Sequence, residues 1–119
     1  MPAMTRVLGA LTAAYGATVI AAPRVLAKPC GLTTPTGGVR SDVRTLIAGI
    51  GARDAAIGLA MVFAPAGRPL RVALAARVAS DAADALVFGT TLPDRTARPK
   101  VAAFALAWAS LCAVSAAVR

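Results

Sequence analysis

Four long apolar segments, separated by short clusters of Pro, Gly and polar residues, organise this chain. The first runs from about Thr5 to Ala22 and stops at Pro23, with a short interfacial continuation toward Leu32. The stretch Thr33-Thr34-Pro35-Thr36-Gly37-Gly38 then breaks any helix. Ser41 is the expected N-cap of the second segment, and Asp42 suits its first turn. That segment covers about 43–63 and ends in the tight turn Ala64-Pro65-Ala66-Gly67-Arg68-Pro69. The third covers about 70–91 and is broken by Leu92-Pro93-Asp94-Arg95. The fourth covers about 100–118, with Pro99 well placed for a first helical turn. Each segment is roughly 18–22 residues, close to the ~20 needed to cross the hydrocarbon core of a bilayer. The runs are too long and too rich in Ala for strands. The pattern predicts an all-α fold: one integral membrane domain over 1–119, a four-helix transmembrane bundle with antiparallel up-down connections.

Composition supports a membrane solvent. Of 119 residues, 58% are hydrophobic and only 15% are charged, against roughly 25% in a soluble domain; mean hydropathy is +0.71. The apolar residues are mostly Ala, Val and Leu, whose small side chains let helix backbones approach in a membrane. Residues 1–22 imitate a signal peptide, and Val25-Leu26-Ala27-Lys28-Pro29-Cys30 imitates a lipoprotein site. Lys28 and Pro29 argue against that cleavage, and three further spans follow, so the first segment is read as a retained helix.

The net charge of +8 is a matter of placement. Of thirteen basic residues, only Arg53 and Arg77 lie well inside an apolar run. The others flank the runs, where they grip headgroups and set orientation. Arg24, Lys28, Arg40, Arg44, Arg95, Arg98 and Lys100 share one side; Arg6, Arg68, Arg71 and Arg119 share the other. The positive-inside rule puts the loops between spans 1 and 2 and between spans 3 and 4 in the cytoplasm, with the protein in the inner (plasma) membrane. Nucleic acid is excluded as a partner, because the single Trp and single Tyr lie inside apolar runs rather than beside a basic patch. Cys30 and Cys112 fall toward opposite faces and do not form a disulfide. No zinc spacing exists, and no His is present to ligate haem. No cofactor is expected.

The candidate chemistry lies in five charges at membrane depth: Arg53 and Asp54 in span 2, and Arg77, Asp81 and Asp84 in span 3. Such residues are costly in lipid and usually face a partner, a cavity or a substrate path. Arg53 lies twelve residues before Pro65 and Asp81 twelve after Pro69. At about 1.5 Å per residue both stand about 18 Å from the turn, near mid-bilayer, so Arg53 and Asp81 are expected to pair. Arg77, Asp81 and Asp84 fall at i, i+4 and i+7, on one helical stripe. Asp54, adjacent to Arg53, is expected to turn elsewhere. Two ion pairs leave one carboxyl over, which in hydrocarbon would take up a proton. The candidate acid/base residues are Asp81 and Asp84; Arg53, Arg77, Asp54 and Tyr15 are candidate ligand-binding residues. A metal on Asp81-x-x-Asp84 is disfavoured, because the chain has no Glu and Arg77 would repel it. Gly49, Gly51 and Gly58 read as close-packing positions, with room for a ligand near Arg53 as the alternative. Trp108 and Cys112 read as packing residues.

The chain resembles a family of small, uncharacterised four-span bacterial membrane proteins, grouped as a domain of unknown function and DoxX-like in layout. The resemblance covers all four spans. It rests on Ala22-Pro23-Arg24, Gly31-Leu32, Gly51-Ala52-Arg53-Asp54 with Gly58, and Arg77-x-x-x-Asp81-x-x-Asp84. It implies a four-helix bundle with the Arg and Asp residues turned inward, and no particular substrate. Three functions remain open. The first is a membrane-embedded site for a small lipophilic ligand or substrate, with isomerase- or cyclase-type acid/base chemistry. The second is proton-coupled or ion transport by a homo-oligomer. The third is an accessory subunit of a larger membrane complex, with the charges as structural ion pairs.

Overall fold

The computed structural model describes residues 2–117, whose regular elements are all helices, with an isolated bridge between Thr33 and Val39 in the connection before Ser41. The elements are α1 (Ala3–Ala21), α2 (Arg24–Ala27), α3 (Ser41–Phe63), α4 (Arg68–Thr91) and α5 (Ala97–Ser115). The all-α expectation holds. Among the described residues α1, α3 and α5 are long and apolar enough to cross a membrane. With three such helices the chain is a membrane protein. At 24 residues α4 is the longest helix, but Arg77, Asp81 and Asp84 set its composition apart from the other three. Val118, the expected end of the last span, and Arg119 lie outside the described residues.

Local chemistry accounts for the boundaries. The four-residue α2 is the continuation expected after Pro23, and Gly31, at φ 71°, turns the chain away from it. Ser41 is not the N-cap. It is already helical, Arg40 holds the cap position with extended backbone, and no side chain caps the helix. Asp42 takes the first-turn role instead, accepting a hydrogen bond from the Val43 amide at 2.9 Å and pairing with Arg40 at 3.2 Å. Gly67, at φ 99°, makes the turn into α4, and Pro69 follows in the first helical turn, where its missing N–H leaves no bond unmade.

Small residues bring α1 onto α3. A Cβ added at Gly9 would stand 2.8 Å from the Gly58 carbonyl oxygen, and one at Gly51 would stand 2.6 Å from the Gly16 carbonyl oxygen. The backbones are in contact there, so Gly51 and Gly58 pack as expected; Gly49 instead faces open space. Their partners Gly9 and Gly16 complete the contact from α1. As numbers rise along α1 they fall along α3. Arg6 crosses the same seam, with Nη1 donating to the carbonyls of Met61 (3.1 Å), Val62 (2.8 Å) and Ala64 (2.6 Å). It satisfies the free C-terminal carbonyls of α3 rather than gripping headgroups. α4 packs on α5, with Gly89 against Ala102 at one end and Ala73 and Leu74 near Cys112 at the other. α3 meets α4 less extensively, and α1 meets α5 only briefly.

The outer surface carries the large apolar side chains, among them Val7, Leu46, Phe63, Val72 and Leu86, while Arg77, Asp81 and Asp54 are buried. That inverts the usual soluble arrangement and suits lipid. At one end the segment after α2 seals the bundle, as Cys30 packs with Leu92 and Ala97. Cys112 packs at the other end with Leu8 and Met61, and both cysteines are free thiols.

Two outcomes follow. Gly16→Val or Gly58→Val should lower unfolding stability in detergent by at least about 1–3 kcal/mol through overpacking, while Gly49→Ala should be neutral or slightly stabilising; equal effects at all three sites would refute the backbone contact. Burial pushes the Cys30 thiol up to about 11, so little thiolate is present at neutral pH. Its maleimide labelling in the folded Cys112→Ala protein should be slow at pH 7, accelerate steadily as pH rises toward 11, and become fast on unfolding.

Candidate functional site: a charged floor beneath an apolar cleft

The i, i+4, i+7 spacing on α4 turns Arg77, Asp81 and Asp84 toward the interior, and α3 presents Arg53 and Asp54 to them. The five residues form one network. Arg53 donates to Asp84 through Nη1 (3.0 Å) and Nη2 (2.6 Å). Arg77 donates to Asp81 through Nε (3.1 Å) and Nη2 (2.6 Å). Asp54 joins the pairs: its Oδ1 accepts from Arg53 Nε (3.2 Å) and Nη2 (3.0 Å), and from Arg77 Nη1 (2.9 Å).

Three expectations are corrected. Arg53 pairs with Asp84 rather than with the depth-matched Asp81. Side chains lean toward the N-terminus of their own helix. Arg53 therefore reaches away from the α3–α4 turn, and Asp81 leans back onto Arg77, one turn earlier on the same helix. Asp54 does not turn elsewhere. It is 7% exposed and stands between the two guanidinium groups. Nor is one carboxylate left without a cation, because Asp54 shares both arginines. Among the described residues no fully covered side-chain N or O lacks a hydrogen-bond partner.

Above this network lies a cavity of about 310 Å³. Asp54, Arg77, Asp81 and Asp84 contribute its polar floor, with Ile50 beside them. α1 supplies Leu11, Thr12 and Tyr15 as one wall, and α5 supplies Val101, Phe104, Ala105 and Trp108 as the other. Leu26 of α2 and Phe88 of α4 complete the lining. The walls are held together where Trp108 Nε1 donates to Thr12 Oγ1 at 3.1 Å, and nearer the termini where Thr5 Oγ1 donates to Ser115 Oγ at 2.8 Å. Beyond Thr12 the helices part, and the cleft between them is the cavity. Leu11 and Phe104 line it and are also largely exposed, so its rim is apolar.

Of the candidate residues, Asp54, Arg77, Asp81, Asp84 and Tyr15 line the cavity. Arg53 is not among the lining residues; its side chain is 34% exposed. Tyr15 makes no hydrogen bond to the charged residues, although it stands over the same cavity. Of the α1 and α5 walls, sequence reading found only Tyr15 and set Trp108 aside as packing. An aromatic with a polar N–H in mid-span, one turn from Phe104, was the available signal. Among the described residues no three of His, Cys, Asp or Glu converge as metal ligands.

No protein-family model matches this chain, and neither a curated protein nor a solved structure is significantly similar to it.

The network ranks its members. Arg77, 2% exposed, holds two carboxylates, so Arg77→Leu should cost about 3–5 kcal/mol by stranding buried charge. Arg53→Leu should cost less, because Arg53 is partly exposed and Asp54 keeps Arg77. Adding Asp81→Leu to Arg77→Leu should recover part of the loss. Chemical unfolding in detergent measures all three; the reverse order for the two arginines would refute the shared arrangement.

Proposed function

We propose that this protein binds a small lipophilic molecule within the membrane, in the cleft between α1 and α5. The observation that carries the reading is the junction of an apolar, aromatic-walled cavity of about 310 Å³ with a floor of three carboxylates and a guanidinium. That volume lies at the lower end of the range of about 300–1,000 Å³ typical of small-molecule sites, which likewise combine apolar walls with a few convergent polar groups. The apolar rim offers entry to a molecule dissolved in hydrocarbon. Asp81 and Asp84, the candidate acid/base pair, lie on the floor, each with both oxygens engaged by a guanidinium. Binding is therefore the primary role in this reading, and any proton transfer is secondary to it.

The membrane setting is part of the proposal. α4 serves as a fourth span, its charged stripe turned inward while Val72, Leu86 and Val87 face lipid. The four long helices then alternate up and down, in keeping with the opposed order of contacts between α1 and α3. The connections between α1 and α3 and between α4 and α5 lie in the cytoplasm and the bundle lies in the plasma membrane, as the seven flanking basic residues on that side against four favour. This layout is also that of the DoxX-like family, to which the short Arg/Asp motifs point.

One observation favours a second reading. Every nitrogen of the two guanidinium groups donates to a carboxylate, as in ion pairs that only specify which helices meet. Filling the cavity without touching the charges separates the two. Ala105 lines the cavity and is outside the network, so Ala105→Phe should occupy the ligand's space. At least one of 4-phenylbutylamine, 4-phenylbutanol and 4-phenylbutyrate should raise the melting temperature of the detergent-solubilised protein and give saturable calorimetric binding, with the Ala105→Phe protein showing neither. Identical responses in both proteins, or none in either, would leave only the structural role.

A further inference from the structure

We propose that the ligand of this cavity is a lipophilic ammonium, its nitrogen on Asp54 Oδ2 and its hydrocarbon among Leu11, Phe104 and Trp108. The proposal rests on the reading of the cavity as a ligand site and names the chemical class that site selects.

The first argument is a census of donors and acceptors. Every guanidinium nitrogen of Arg53 and Arg77 already donates to a carboxylate. Both oxygens of Asp81 and both of Asp84 accept in return. At Asp54 all three bonds converge on Oδ1, and Oδ2 accepts none from the described residues. Asp54 is only 7% exposed, yet no fully covered side-chain oxygen lacks a partner, so Oδ2 retains access to open space. The space that Asp54 lines is the cavity. Asp54 Oδ2 is the one side-chain nitrogen or oxygen of the network with no hydrogen-bond partner among the described residues, and an open carboxylate oxygen selects a donor.

The second argument is charge. Two guanidinium groups against three carboxylates leave the network at −1, and no other charged side chain lines the cavity. Surplus charge in a low-dielectric site is stabilised by a counter-charge at short range. An ammonium supplies the counter-charge and the missing donor together. An alcohol supplies only the donor. A carboxylate would set lone pairs against lone pairs and raise the charge to −2. Arg77 does not overturn this preference, because its guanidinium is already bonded to Asp81 and to the opposite oxygen of Asp54.

The walls fit the same class. Trp108, Phe104, Phe88 and Tyr15 line the space with aromatic side chains, the residue type whose faces attract a desolvated cation. The Tyr15 hydroxyl has no partner among the described residues, so its oxygen can accept a second ammonium proton.

The test uses the full chain in detergent micelles and the three phenylbutyl probes at pH 7, read by calorimetry and by the fluorescence of Trp108, the single tryptophan. The amine should bind at least about tenfold more tightly than the alcohol, and the carboxylate more weakly still. Asp54→Asn should reduce amine affinity about tenfold or more and leave alcohol affinity within about threefold. Tyr15→Phe, which removes no charge and serves if Asp54→Asn does not fold, should weaken the amine more than the alcohol. Alcohol or carboxylate binding that equals or exceeds amine binding would overturn the ligand class while leaving a lipophilic-ligand site. The same holds for amine binding unchanged in Asp54→Asn, or, where that variant does not fold, unchanged in Tyr15→Phe. Absence of binding by all three probes would overturn both the class and the site.

Discussion

The rest of the structure depends on one carboxylate oxygen, Asp54 Oδ1, held by both Arg53 and Arg77. The α1–α3 pair is brought together by backbone contact at Gly9, Gly16, Gly51 and Gly58, and the α4–α5 pair by extensive packing that includes Gly89 against Ala102. The seam between these pairs, α3 against α4, is less extensive and carries the ion network. In lipid the hydrophobic effect does not drive helices together, so packing and polar contacts must do so. Charges bonded to one another across a seam specify which faces meet, because any other pairing would strand them in a low-dielectric environment.

That way of joining two helix pairs has a geometric consequence. The pairs are fixed along α3–α4, and between α1 and α5 by Thr5 against Ser115 near the chain ends and Thr12 against Trp108 in mid-helix. Past Thr12 the cavity lies between α1 and α5. The bundle is accordingly long along its helices and flattened across them, 47 × 25 × 16 Å. The network that joins the pairs is thus also the floor of an open cleft, and Asp54 serves both arrangements through its two oxygens.

The connections work to the same end. Arg6 satisfies the last carbonyls of α3, and the segment after α2 packs Cys30 against Leu92 and Ala97, bringing Leu26 over one end of the cavity. At the start of α5 the Thr96 hydroxyl and amide bond Asp94 and hold its carboxyl below the ordinary carboxylate range. These contacts lie at the bundle ends and leave the cleft between α1 and α5 open beside the Thr12–Trp108 bond.

The sequence by itself determined the helices, the membrane character and the membership of the charged cluster. Runs of apolar residues near bilayer length, punctuated by Pro and Gly, leave no other economical reading. The i, i+4, i+7 spacing of Arg77, Asp81 and Asp84 puts them on one face whatever surrounds them. Only the tertiary structure decided the pairing. Depth counted along a helix locates backbone atoms, but a guanidinium reaches several ångströms along the axis, and that reach gave Arg53 to Asp84 and Arg77 to Asp81. It also decided that Asp54 is a bridge, because two adjacent residues can converge when the longer side chain folds back on its neighbour. The walls of the cavity were illegible for a different reason. Tyr15 apart, a candidate from the sequence itself, the lining residues Leu11, Phe104 and Trp108 belong to α1 and α5, elements far apart in sequence, and a cavity exists only where two such elements fail to meet. Periodicity records which face of a helix is apolar; the distance to the next helix is set by the packing of all of them.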